Sequence, residues 1–180
     1  MMKQLLFFLL ALSMIQASAL SQQAGDRAAD TRPKVDKSPH EHLKVFEWMV
    51  GHWVDDSDDA EIEIDCSWTD NRTFLKRSFT IKVGDGPTTS GTHFTGWDPV
   101  ARQFRTWNFY SDGGFSDVVW KHEKDRWYMH YKGVRPDGQR WTMVGIIKPI
   151  DKDTFTWQVT EHIDDGKPVP NSKEIKLVRK

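Results

Sequence analysis

The chain has 180 residues, with 25 Lys and Arg against 26 Asp and Glu, one Cys, nine Trp and ten Phe. That length suits one domain with or without a tail, and the near-zero charge balance argues against nucleic acid or an anionic membrane surface as the main partner, because either selects a basic patch. A single Cys excludes an internal disulfide framework and any CxxC-type zinc or redox site.

Residues 1–19 read as a signal peptide. One charge, Lys3, precedes an apolar run from Leu5 to Ile15, and Ala17-Ser18-Ala19 gives the small-x-small pattern that signal peptidases cut. The run is shorter than the ~20 apolar residues of a membrane span, and no Cys follows it to accept a lipid anchor. The expected mature protein is therefore soluble and secreted or periplasmic, with a net charge of −2 once Lys3 is removed (24 against 26). Residues 20–37 have no aromatic side chain and few apolar ones. They cannot bury enough surface to offset the entropy of ordering, so a disordered leader is expected there.

The domain is placed at 38–180. Ser38-Pro39-His40-Glu41 starts a helix by three criteria: a capping Ser, Pro at the first helical position and a Glu that completes a capping box. Leu43, Phe46 and Val50 follow at helical spacing beside Trp48 and Met49, and Gly51 is the expected stop.

After Gly51 the hydrophobic period becomes two. Turn chemistry recurs at 55–59, 69–72, 84–87, 98–101, 111–114, 122–125, 135–138, 150–153 and 164–170, between runs rich in β-branched and aromatic residues. Nine turns predict ten strands, joined by links short enough to make successive strands antiparallel neighbours. Closing such a meander removes its exposed edges. The predicted fold is all-β, an antiparallel up-and-down β-barrel of about ten strands with one N-terminal helix; a two-sheet sandwich is the alternative.

Strand phase separates two faces. Ile62, Ile64, Cys66 and Trp68 share one side, which makes Cys66 a small core residue; with no positive neighbour evident to lower its pKa, it is not read as a nucleophile. Thr73, Leu75, Arg77, Phe79, Ile81 and Val83 form another apolar face that holds a single charge. Phe155, Trp157 and Val159 point inward, and Ile175, Leu177 and Arg179 align in the last strand. Two inward arginines require partners, because a buried guanidinium is costly unless paired. The runs 103–110, 115–121 and 126–131 carry aromatics on both faces; Asp117, in phase with Phe115 and Val119, is a candidate partner for Arg77.

The helix leading into Gly51-His52-Trp53, with a closing strand that ends in Arg179, resembles the calycin pattern of lipocalins and fatty-acid-binding proteins. The resemblance implies that Trp53 packs against Arg179 and that Gly51, Trp53 and Arg179 close one end of the barrel. Residues ~42–180, one domain's worth of chain, are also similar to an uncharacterised group of secreted bacterial domains. That likeness is carried by Phe74-Leu75-Lys76-Arg77-Ser78-Phe79, Gly96-Trp97-Asp98-Pro99, Ser111-Asp112-Gly113-Gly114-Phe115, Pro136-Asp137-Gly138 and Phe155-Thr156-Trp157. Some members of that group follow a SnoaL-like domain, and the resemblance implies no activity.

Catalytic signatures are sparse. No Gly-x-Ser-x-Gly elbow, P-loop, dinucleotide fingerprint or His-Glu-x-x-His occurs. His40-Glu41-His42 falls in a first helical turn, where residues two apart diverge. The acidic run 55–59 lacks calcium-loop spacing, and Asn71-Arg72-Thr73 is a sequon in a tight turn. The other histidines are scattered one per segment, so no metal or cofactor is expected.

Nine tryptophans exceed what a core of ~140 residues requires, and a barrel of this size can hold a small ligand. The expected function is binding of a small, largely apolar molecule whose carboxylate or other polar head group would meet Arg77. Trp107, Trp120 and Trp157 would supply wall surface, with Arg77 and Asp117 as the polar site. The alternatives are a barrel enzyme using Arg77, Asp117 and His130, and an envelope interaction module with a filled interior.

Overall fold

The structure, a computed structural model, describes residues 37–56 and 60–180. The signal-peptide and leader readings lie outside the described residues, Lys37 apart.

The capping box forms as the sequence requires. Ser38 Oγ accepts from Glu41 N at 3.2 Å, and Ser38 N donates to Glu41 Oε2 at 2.7 Å. Helix α1 (Pro39–Leu43) is short and tightens into a 3-10 segment, Lys44–Met49. At three residues per turn, positions three apart eclipse, and the buried residues of this stretch are Leu43, Phe46 and Met49. The structure thus puts Met49, not Val50, on the buried stripe. Val50 already has extended backbone, and Gly51 opens a strand with φ +137°, a conformation that favours glycine.

Among the described residues, eleven strands follow. They are β1 (Gly51–Asp55), β2 (Ala60–Trp68), β3 (Leu75–Val83), β4 (Thr89–Asp98), β5 (Gln103–Tyr110) and β6 (Phe115–Glu123), then β7 (Arg126–Val134), β8 (Arg140–Pro149), β9 (Thr154–Asp164), β10 (Lys167–Val169) and β11 (Ile175–Arg179). β1 to β9 form an antiparallel meander, and β11 inserts between β9 and β1 to close a ten-strand barrel. The extra strand, β10, pairs only with the far end of β9. Its three residues lie within the Gly- and Pro-bearing cluster at 164–170, which is why they do not stand out from a turn. No helix among the described residues is long and apolar enough to cross a membrane.

The helical segment seals one end of the barrel. Phe46 is fully buried, with ring centroids of Phe104, Trp120 and Trp127 at 4.9, 4.8 and 4.7 Å. Trp53 donates its indole N–H to Met49 O at 2.8 Å, which ties the segment to β1. The Arg179 guanidinium lies 4.1 Å from the Trp53 ring centroid. It also donates to Trp48 O at 2.9 Å, Lys152 O at 2.8 Å, Asp153 Oδ1 at 3.1 Å and, in addition, Val50 O. Gly51 is required beneath it, since a Cβ there would collide with Arg179 Nη1. One cation therefore joins the end of the helix, β1, β11 and the turn between β8 and β9.

Removing this cation leaves several carbonyls without donors. Arg179→Ala should destabilise the fold by about 2–4 kcal/mol, the scale of lost charge-assisted hydrogen bonds plus one cation–π contact. Arg179→Lys should recover only part of it, because an ammonium cannot reproduce the planar fork. Urea unfolding of the three proteins measures this, and a loss under ~0.5 kcal/mol for the alanine variant would contradict the assigned role.

Candidate functional site

With one end plugged, the remaining interior is a cavity of about 880 Å³. Its floor includes Ile64, Arg77, Phe155 and Leu177; Phe79, Ile81, Tyr131, Met143, Ile147, Trp157, Val159 and Ile175 continue the lining. Asp56, Gly84, Thr89, His162, Val169, Lys173 and Glu174 mark the opposite, open side. The lining is mostly apolar because each strand alternates and its inward set is drawn from Ile, Phe, Leu and Met.

Polar groups on the inner face are concentrated in one band. Strand registry places Arg77 opposite His93, His93 opposite Asn108 and Asn108 opposite Ser116, so four inward polar residues cross four neighbouring strands in line. All four are buried. Asn108 Nδ2 donates to Ser116 Oγ at 2.6 Å, and Tyr110 Oη lies 3.2 Å from the same hydroxyl. A parallel band nearer the plug pairs Thr95 with Thr106 at 2.7 Å, and Thr106 accepts from the Trp120 indole at 2.7 Å.

Arg77 is 8% exposed, and its hydrogen-bond partner among the described residues is His93, whose Nδ1 lies 3.2 Å from Nη2. A guanidinium only donates, so His93 Nδ1 accepts and the imidazole proton sits on Nε2. Arg77 Nε has no hydrogen-bond partner among the described residues. No carboxylate among the described residues forms an ion pair with Arg77. Burial, and then the neighbouring Arg77 charge, push the His93 pKa well below its ordinary value, which keeps the ring neutral. Cys66 stands opposite Arg77 in the ladder, so a positive neighbour does exist. Burial outweighs it, and the thiol is pushed up to about 11, the condition of an unreactive core cysteine.

The structure separates the five residues expected to line the site. Arg77 and Trp157 border the cavity. Trp120 faces inward but packs on Phe46 and Trp127 at the plug. Trp107 and Asp117 face outward, contrary to expectation. In β5 the inward positions are Phe104, Thr106, Asn108 and Tyr110, which puts Trp107 on the outer face beside Phe74 and 5.8 Å from the Arg105 guanidinium. In β6 Ser116, Val118 and Trp120 turn inward, so Asp117 bonds Arg105 on the surface, where Arg105 also reaches Asp98 at 3.2 Å. Burial of Trp120 and the Asn108–Ser116 hydrogen bond fix this phase over the one that would bury Phe115. His130 alternates with buried Met129 and Tyr131, so Arg77, Asp117 and His130 do not converge.

His93 and Tyr131 are the site residues that sequence reasoning missed. His93 is found through registry: Ile81 faces Thr89 in the ladder, and four residues further along each strand His93 faces Arg77, whereas counting from the ends of the turn at 84–88 would put Thr95 there. Other histidines have ordinary tasks. His42 stacks on Trp97 at 4.0 Å, and His40 packs against Trp68 at 4.7 Å. On the outer face, Asp65 lies 2.9 Å from His52 Nδ1 and Glu63 lies 3.7 Å from Nε2; the two carboxylates engage opposite nitrogens of one ring rather than a shared point.

No protein-family model matches this chain, and no curated protein matches it.

A His held neutral in the fold but free to protonate when unfolded makes stability depend on pH. Its contribution is fully present above the unfolded value near ~6.5 and is lost as pH falls below it, by up to ~1.4 kcal/mol per unit. Unfolding of the ligand-free protein between about pH 7.5 and about pH 5 should show wild type losing more stability than His93→Gln. Parallel pH profiles would show that His93 is not held neutral.

Proposed function

We propose that this chain is an exported, lipocalin-like binding protein that takes a small, largely apolar acid into its barrel. The observation that carries the reading is Arg77, a buried cation whose Nε–H has no partner among the described residues, at the floor of a mostly apolar cavity. Such a charge is costly unless an anion meets it. A carboxylate seated there would accept charge-assisted hydrogen bonds from the guanidinium, and the apolar body would fill the space lined by Phe79, Ile81, Ile147 and Trp157. His93, neutral and hydrogen-bonded to Arg77, orients the guanidinium without competing for the anion. Tyr131 adds a hydroxyl whose hydrogen bond goes only to the weak acceptor Met129 Sδ at 3.5 Å. The leader supports export: Lys3, the apolar run and Ala17-Ser18-Ala19 form the address.

A residue retained for binding at the expense of stability has a distinctive signature. Arg77→Met should weaken the binding of dodecanoic acid by about 10–100-fold, the equivalent of one or two charge-assisted hydrogen bonds. The same substitution should raise the unfolding stability of the ligand-free protein by about 1–3 kcal/mol, because it removes an uncompensated buried charge. Titration calorimetry and urea unfolding read the two effects. Equal affinity of both proteins for the acid would refute the assignment of Arg77.

A further inference from the structure

The wall facing Arg77 carries a second hydrogen-bond donor. Trp157 lies on β9, which is four strands from β3 by the shorter way round a ten-strand barrel, close to diametrically opposite. Its ring borders the cavity. Its Nε1 lies beside Gly145, the inward β8 residue: a Cβ there would crowd Met129 Cε at 2.8 Å and the Tyr131 ring at 3.2 Å and would stand in ordinary contact with Trp157 Nε1 at 3.5 Å. The polar edge of the indole thus looks over the one glycine that leaves this part of the wall open.

That N–H has no hydrogen-bond partner among the described residues. Trp53 and Trp120, both buried, donate to Met49 O and Thr106 Oγ1 at 2.8 and 2.7 Å, whereas Trp157 is only half-buried and its N–H shares its lack of a protein partner with Trp127 and Trp141. Trp157 has only apolar ladder neighbours, Ile147 on one side and Ile175 on the other. A donor without a protein partner on the cavity wall is free to meet an acceptor carried by a ligand. Its partner must be uncharged, because neither ladder neighbour offers a cation to balance a second anion.

We propose that the natural ligand is an oxygenated acid, with its carboxylate on Arg77 and a neutral oxygen acceptor, such as a ketone, part-way along its apolar body on the Trp157 indole N–H. This rests on the reading of Arg77 given above and adds a specificity residue to the same cavity. Trp157 then discriminates oxygenated chains from plain ones, since a matched acceptor gains a hydrogen bond that a methylene leaves unmade.

Dodecanoic acid and a set of dodecanoic acids bearing a single keto group at successive carbons provide the test. Wild type should bind one isomer at least ~5–10-fold more tightly than dodecanoic acid, the scale of one net hydrogen bond. Trp157→Phe keeps an aromatic ring and removes the donor. It should abolish that preference, read as the ratio of the two affinities within the variant, so that any loss of wall contact common to both acids cancels. In wild type, the indole N–H resonance that disappears in Trp157→Phe should move downfield with the preferred isomer and not with dodecanoic acid. If no isomer is preferred, or the preference survives in Trp157→Phe, the second contact is wrong while Arg77-dependent binding of dodecanoic acid stands. Absence of Arg77-dependent binding for every acid in the set would overturn both readings together.

Discussion

A sheet of this kind must end somewhere, and its two ends are joined by a strand added last. β11 is five residues long, pairs with β9 on one side and β1 on the other, and is the only strand that turns the meander into a barrel. So short a strand offers few ladder hydrogen bonds. Arg179, at its C-terminal end, supplies the rest by bonding carbonyls of the helical segment, the β8–β9 turn and Asp153 while covering Trp53. The plug, the closure and the position of β1 all depend on that guanidinium. It is a cation half withdrawn from water yet saturated with acceptors, which is the condition under which a buried charge stabilises.

Arg77 is the opposite case. It sits at the base of the cavity with a neutral imidazole for company and a donor left over. The same physical rule that makes Arg179 a structural joint leaves Arg77 with a donor unused. Two inward arginines, similar in strand phase, differ in how many acceptors the fold brings to them. Along the polar band, His93 holds Arg77 and Asn108 holds Ser116, so the side chains of this part of the wall are paired within the sheet.

The tryptophans divide along the same line. Trp53, Trp120 and Trp127 build the plug with Phe46, and Trp141 covers Gly133 on the inner wall. Trp107 shields the outer surface near Gly96. Trp157 alone of these borders the cavity lining. The high tryptophan content is therefore in large part a sealing device for the end of a barrel whose middle stays hollow.

Alternation and turn chemistry determined the barrel, the inward phase of β2, β3, β9 and β11, the capping box at Ser38, and the presence of arginines on two apolar faces. These are local properties, set by a period of two and by residues that dictate backbone angles. The 3-10 segment escaped because its stripe is as consistent with a period of 3.6 as with three until the barrel end chooses Met49 over Val50. The phases of β5 and β6 escaped for a related reason: with aromatics on both faces, hydrophobicity does not choose, and the decision falls to the hydrogen bonds of Asn108 with Ser116 and Thr106 with Trp120 across strands. Which arginine is saturated, which tryptophan borders the cavity, and whether the interior is hollow are sums over many strands at once. Only the tertiary structure decides them, because each depends on registry and on the volume that closure leaves behind.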